Sequence, residues 1–229
     1  MRTVAVILTG SAVDPSQSDD LLFAPLDGRP VIERSVAAFE HADPVSEILV
    51  VAAPGPAVRV RRALGGRGYR KMAGILDGGP DRVHSVVAAM ASIGEPECDV
   101  LVHEAAYPLI TPQLIADCVL ALRASEAVCT AVPASDTMVA VENNLITVRP
   151  ERARLRRRQS PQGFRLSVLR RACQLALADP GFQPADDCGL VLRYLPDVPV
   201  ALVPGGEGSL KITTPAELAL AQAMLAAGP

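Results

Sequence analysis

Short apolar runs recur at 3–8 (TVAVIL), 47–53 (EILVVAA), 99–105 (DVLVHEA), 127–134 (AVCTAVPA) and 198–204 (VPVALVP). Between them lie segments with helical spacing at about 30–41, 56–65, 80–92, 111–123, 166–178 and 214–227. This alternation constrains the fold more than any other feature, because a parallel crossover needs roughly a dozen residues and a helix supplies them. It predicts an α/β chain with a mostly parallel sheet and helices on both faces. Ligands of such sheets gather at the carboxyl ends of the strands, which here means 8–23, 77–85, 103–108 and 205–213.

One stretch breaks the alternation. Residues 135–150 (SDTMVAVENNLITVRP) have strand periodicity around an Asn-Asn turn, a hairpin signal. An arm of this kind, about 135–158, leaves strand edges that a second copy of itself would cover, so a homodimer is expected.

Composition removes several classes. The 229 residues fit a single domain, 1–229. No apolar run approaches the roughly 20 residues of a membrane span, and MRTVAVILTG reads as a first strand rather than a leader, so a cytoplasmic protein without a membrane partner is expected. A net charge of −3 gives no general attraction to nucleic acid. The five cysteines, Cys98, Cys118, Cys129, Cys173 and Cys188, have no metal-ligand or disulfide spacing. Only two lysines occur, Lys71 and Lys211.

The loop after the first strand is unusual. Between Arg2 and Arg29 there is no cation, whereas Asp14, Asp19, Asp20 and Asp27 are all acidic. A phosphate commonly sits in such a strand-to-helix loop, held by backbone N–H groups and positive charge.

Seven stretches in order, LDGRPVIERSV, DGGPDRVHSV, LVHEAAYP, SDTM, RQSPQGF, DDCGLV and LKITTPAELALA, make the chain similar to the methylerythritol-phosphate cytidylyltransferases, which join CTP to a sugar-alcohol phosphate and release pyrophosphate. The resemblance implies a Rossmann-like (GT-A-like) nucleotidyltransferase sheet with a protruding dimerisation β-arm. It also implies site residues. Gly10, Gly78, Gly79, Arg82 and Ser85 match the nucleotide-binding positions; glycines let the backbone approach a planar base and Ser85 offers a hydrogen bond. The same Gly-Gly turn could instead simply precede a helix that starts near Asp81. Glu104 stands where the family has an acid that helps hold Mg²⁺, and Tyr107 replaces an Arg of the substrate site. His103 reads as a strand-end histidine. Thr137, Arg152, Ser160 and Lys211 match substrate-binding positions, with Arg152 and Lys211 the candidate catalytic cations and Arg152 reaching into the partner subunit. The run RARLRRR (152–158) is otherwise a solvated basic stretch. Asp186 is either part of the site or the N-cap of a helix near 187–193.

The family's first loop holds an Arg and, seven residues later, a Lys, both on the triphosphate. A gap-free register puts Asp14 and Leu21 at those places, with Asp20 at the adjoining proline and Ala12 at a loop glycine. Losing one cationic contact in phosphoryl transfer can cost about 10³- to 10⁵-fold, and an anion about 4 Å from a phosphate adds repulsion on the order of 4 kcal/mol at an effective dielectric near 20. The loop chemistry therefore favours a divergent, catalytically weak or silent dimer that binds or regulates, with CTP held weakly and no cofactor. The other reading is a working cytidylyltransferase, acting with Mg²⁺ on methylerythritol 4-phosphate or another polyol phosphate such as ribitol phosphate.

Overall fold

The computed structural model describes residues 1–10, 20–55, 57–94, 96–182, 186–206 and 208–228. Its centre is a seven-stranded sheet. The strands are β1 (Thr3–Leu8), β4 (Glu47–Ala52), β5 (Met72–Asp77), β6 (Asp99–Glu104), β7 (Ala127–Pro133), β10 (Arg156–Arg165) and β11 (Val200–Pro204), in the order β11-β7-β10-β6-β1-β4-β5. Two-residue strands β2 (Pro25–Leu26) and β3 (Arg29–Pro30) form a small ribbon, and β8 (Ala140–Glu142) pairs with β9 (Leu145–Val148).

The helices are α1 (Val31–Glu40), α2 (Ala57–Leu64), α3 (Arg82–Ser92), α4 (Pro112–Ala121), α5 (Leu166–Ala178), α6 (Asp187–Tyr194) and α7 (Pro215–Ala227). Their starts follow local chemistry: Asp81, Thr111 and Asp186 each accept a backbone N–H of the first turn, and Thr214 with Glu217 completes a capping box.

Both faces of the sheet are buried, and β1 shows why the expected α/β form is the stable one. Ala5 and Ile7 point into a core with Ile32, Val36 and Phe39 of α1 and Ile115 and Cys118 of α4. Val4, Val6 and Leu8 point the other way, against Val86 and Met90 of α3 and Leu169 and Cys173 of α5. A strand apolar on both faces cannot lie at a solvated surface, so helices must cover it twice.

β1 pairs in parallel with both β4 and β6, and β7 pairs in parallel with β11. β10 alone runs antiparallel, to β6 and to β7. Its first residues therefore lie at the edge where the other strands end. The chain leaves β1 in opposite directions along the sheet, which opens a crevice beyond its carboxyl end.

The hairpin is present, with Asn143 and Asn144 at φ 49° and 63° as a tight primed turn requires. The arm is shorter than expected, because Arg156, Arg157 and Arg158 belong to β10 of the main sheet. Strand β5, of mixed burial, carries no clear apolar signal.

Candidate active site

The segments that follow the strand ends come together around Glu104, the last residue of β6. Its side chain is 6% exposed. Arg158 Nη2 lies 3.3 Å and Arg82 Nη1 3.5 Å from Oε1, while Lys211 Nζ lies 2.5 Å from Oε2. Two further acids hold the arginines: Asp187 Oδ2 accepts from Arg82 at 2.7 Å, and Asp186 Oδ2 meets Arg158 Nε at 2.6 Å. Burial works against ionisation of Glu104, but Arg82, Lys211 and Arg158 outweigh it and hold the carboxyl at about 2.

Each cation is placed by its element. Arg82 opens α3, directly after the N-cap Asp81. Lys211 follows β11, and its segment is pinned by Ile212 N donating to Ala106 O (2.8 Å) and by Gln159 Nε2 donating to the carbonyls of Gly206 (2.8 Å) and Ser209 (3.0 Å). Arg158 sits where the register of β10 against β7 shifts, between Arg158 and Gln162, an irregularity of the kind that re-aims side chains near active sites.

The glycines beside this cluster are closely packed. Gly78 N donates to Ala52 O at 2.7 Å, and a Cβ there would lie 2.9 Å from that same oxygen. A Cβ on Gly79 would lie 2.2 Å from His84 Cβ. Ser85 Oγ accepts from Gly79 N (3.1 Å) and donates to Asp81 O (2.8 Å), so the hydroxyl braces the 78–85 turn. Gly10, exposed just past the end of β1, lies against Ala53 beyond the end of neighbouring β4, with 3.2 Å from its would-be Cβ to that of Ala53.

Ser160 is 1% exposed and lies beneath the site rather than in it. Its Oγ accepts from Glu104 N (3.0 Å) and lies 2.9 Å from His103 Nδ1. The serine hydroxyl is thereby assigned as donor to Nδ1, which leaves His103 neutral with its proton on Nε2. Burial pushes His103 down to about 3. Ser160 and His103 are thus a strut that orients Glu104. Tyr107, 6% exposed, packs its ring on His103 at 6.3 Å between centroids.

Thr137 and Arg152 stand apart from this cluster. Both are exposed, near the root of the arm, where Arg152 Nη1 donates to Ser135 O at 3.3 Å. Leu21 lies in a helical turn at 20–23 and packs on the core, and Asp20 pairs with Arg59 at 2.9 Å. Asp14 and Ala12 lie outside the described residues. Arg158 is the site residue that sequence reasoning misses, because the run RARLRRR reads as solvated and RRRQSPQGFR carries no alternation that would mark it as a strand.

A divalent metal at Glu104 does not fit these residues. Both carboxylate oxygens are already committed to cations, and no group of three or more His, Cys, Asp or Glu suited to a metal occurs among the described residues.

An acid ringed by cations at the carboxyl edge of a mostly parallel sheet, beside a Gly-Gly turn, defines an α/β nucleotidyltransferase-type protein. Residues 5–227 match the family model of IspD, 2-C-methyl-D-erythritol 4-phosphate cytidylyltransferase, and the chain belongs to that family. It is 41% identical to the 2-C-methyl-D-erythritol 4-phosphate cytidylyltransferase of Thermobifida fusca (strain YX), over 99% of this chain and 94% of the relative. It is 31% identical to a Haemophilus influenzae protein named bifunctional ribulose 5-phosphate reductase/CDP-ribitol pyrophosphorylase Bcs1, over 87% of this chain and 43% of that protein. The crystal structure of 2-C-methyl-D-erythritol 4-phosphate cytidylyltransferase from Thermus thermophilus superposes with a TM-score of 0.76 at 31% identity, covering 97% of this chain and 98% of that one. No helix among the described residues is long and apolar enough to cross a membrane.

Proposed function

We propose that the chain is a dimeric cytidylyltransferase that joins CTP to a polyol phosphate, methylerythritol 4-phosphate first, and releases pyrophosphate. The observation that carries this reading is the convergence of Arg82 and Lys211 on Glu104 at the end of β6, in a chain 41% identical nearly end to end to a relative named for that reaction. The silent, regulatory reading draws no support from these relatives, whose names are those of enzymes. The Haemophilus relative's name makes ribitol phosphate the second acceptor to test.

In the transfer, an oxygen of the acceptor phosphate forms a bond to the α-phosphorus of CTP. The bond from that phosphorus to the bridging oxygen breaks, and pyrophosphate leaves with the electron pair. The protein's share in such chemistry is placement and stabilisation of charge. Gly78 and Gly79 keep the turn beside the site tightly packed, their N–H groups spent on Ala52 O and Ser85 Oγ, and Arg82, Lys211 and Arg158 supply positive charge at the strand ends. Leu21, packed on the core, offers none from the first loop. Mg²⁺ is given no place on Glu104 in this reading.

The arm supports the dimer. Val139, Val141, Leu145, Ile146 and Val148 are 42–69% exposed, apolar side chains that a second arm would cover. Arg152 and Thr137 would then act on the partner's site.

Calorimetric titration with CTP tests the reading. Heat of binding is expected by millimolar CTP, reduced by Gly79→Ala; no heat at that concentration would overturn it.

A further inference from the structure

We propose that Arg158 occupies, as a tethered side chain, the position at Glu104 that a divalent cation would otherwise take. The inference rests on the family reading of Glu104 and gives Arg158 a further role beyond the positive charge it lends at the strand ends.

Mg²⁺ is ordinarily held by one or two carboxylates plus substrate phosphates, keeping several waters. Here Glu104 is buried, with one oxygen on Lys211 and the other shared by Arg158 and Arg82. Three cations (Arg82, Arg158, Lys211) face three acids (Glu104, Asp186, Asp187), so the cluster is neutral as it stands. A divalent ion would enter a place with no charge to attract it and a guanidinium within 4 Å to repel it.

Arg158 is built into this place rather than lying across it. Its Nε bonds Asp186 at 2.6 Å, its Nη1 donates to Gln159 O at 3.2 Å, and its Nη2 reaches Glu104. A guanidinium offers this planar fork of donors and stays charged at any working pH. Asp186 in turn is fixed as the N-cap of α6, accepting from Gly189 N at 2.8 Å. Removing Arg158 leaves the cluster at −1, with Asp186 Oδ2 freed and Glu104 Oε1 left with Arg82 alone at 3.5 Å, carboxylate oxygens of the kind that suit a hard cation.

Mn²⁺ binding to the nucleotide-free protein, read by loss of the free-ion electron paramagnetic resonance signal, tests the proposal without depending on turnover. Wild type and Arg158→Lys should leave Mn²⁺ free into the millimolar range. Arg158→Ala and Arg158→Gln should each bind it at least about tenfold more tightly, the scale of losing a unit charge a few ångströms away, and Glu104→Gln added to Arg158→Ala should remove the gain. Circular dichroism melts establish that each variant is folded. The proposal is overturned if wild type binds Mn²⁺ in a manner that Glu104→Gln abolishes, or if both folded Arg158 variants bind no better than wild type. A chain that fails to bind CTP yet shows this pattern would remove the cytidylyltransferase reading and leave the role of Arg158 standing.

Discussion

The Lys211 ammonium lies 2.5 Å from Glu104 Oε2, joining the segment after the last strand to the end of β6. The contact places the second of only two lysines at the centre of the site, and it makes the stability of that site depend on pH.

Glu104 is held at about 2, below its ordinary 4.5. A carboxyl with a lowered folded value stabilises the protein above its unfolded value, and that contribution is lost as pH falls through the folded one. Unfolding free energy should therefore decline between pH 4.5 and about 2 in wild type, and Glu104→Gln should flatten that part of the profile. Burial lowers His103 to about 3, which contributes with the same sign from 6.5 downward. The two are separable because His103 acts first as pH falls. Denaturant titrations across the range check this.

Arg82→Ala should be more damaging than its partly exposed position suggests. Asp187 is fully buried and has Arg82 as its ion-pair partner. Stranding a buried charge typically costs about 3–5 kcal/mol. A chemical denaturation midpoint unchanged from wild type would show that Asp187 finds another partner.

Much of this was legible in the residues. Six helices and the inner strands of the sheet follow from apolar spacing, since β1, β4, β6 and β7 are buried on both faces and have few polar interruptions, whereas the edge strand β5 does not. Asn143-Asn144 announced the hairpin through its need for positive φ. Strand β10 was not legible: it begins with three arginines, and its burial starts only at Gln159. Arg82, Lys211 and Glu104 were found by family position, yet nothing in sequence spacing showed that they share one carboxylate. Ser160 matched a substrate-contacting position but is buried, its hydroxyl used by Glu104 N and His103.

The arm should decide assembly. Ile146→Glu combined with Leu145→Lys removes two of its most exposed apolar groups, 69% exposed each, and should convert a dimer to a monomer with little change in fold. Sedimentation velocity across a concentration series reads this directly. A wild-type monomer at every concentration would remove the basis for Arg152 acting on a partner's site.

Gly163 packs where β10 crosses the core. A Cβ there would lie 2.7 Å from Val128 Cγ2 and 3.0 Å from Leu101 Cδ2 and Leu122 Cδ1. Gly163→Ala should destabilise by about 1–3 kcal/mol through overpacking, measured by thermal melts, while leaving the Glu104 cluster formed.

Cytidylyl transfer is tested most closely by detecting its products. The purified chain, incubated with CTP and methylerythritol 4-phosphate, is followed by phosphorus NMR for a new diphosphate ester and for pyrophosphate. Both should appear in equal amounts. The rate should lie at least about a thousandfold below that of a family member carrying both first-loop cations, given Leu21 at one of those places. Absence of the ester above a protein-free control, with methylerythritol 4-phosphate and with ribitol phosphate alike, would contradict cytidylyl transfer.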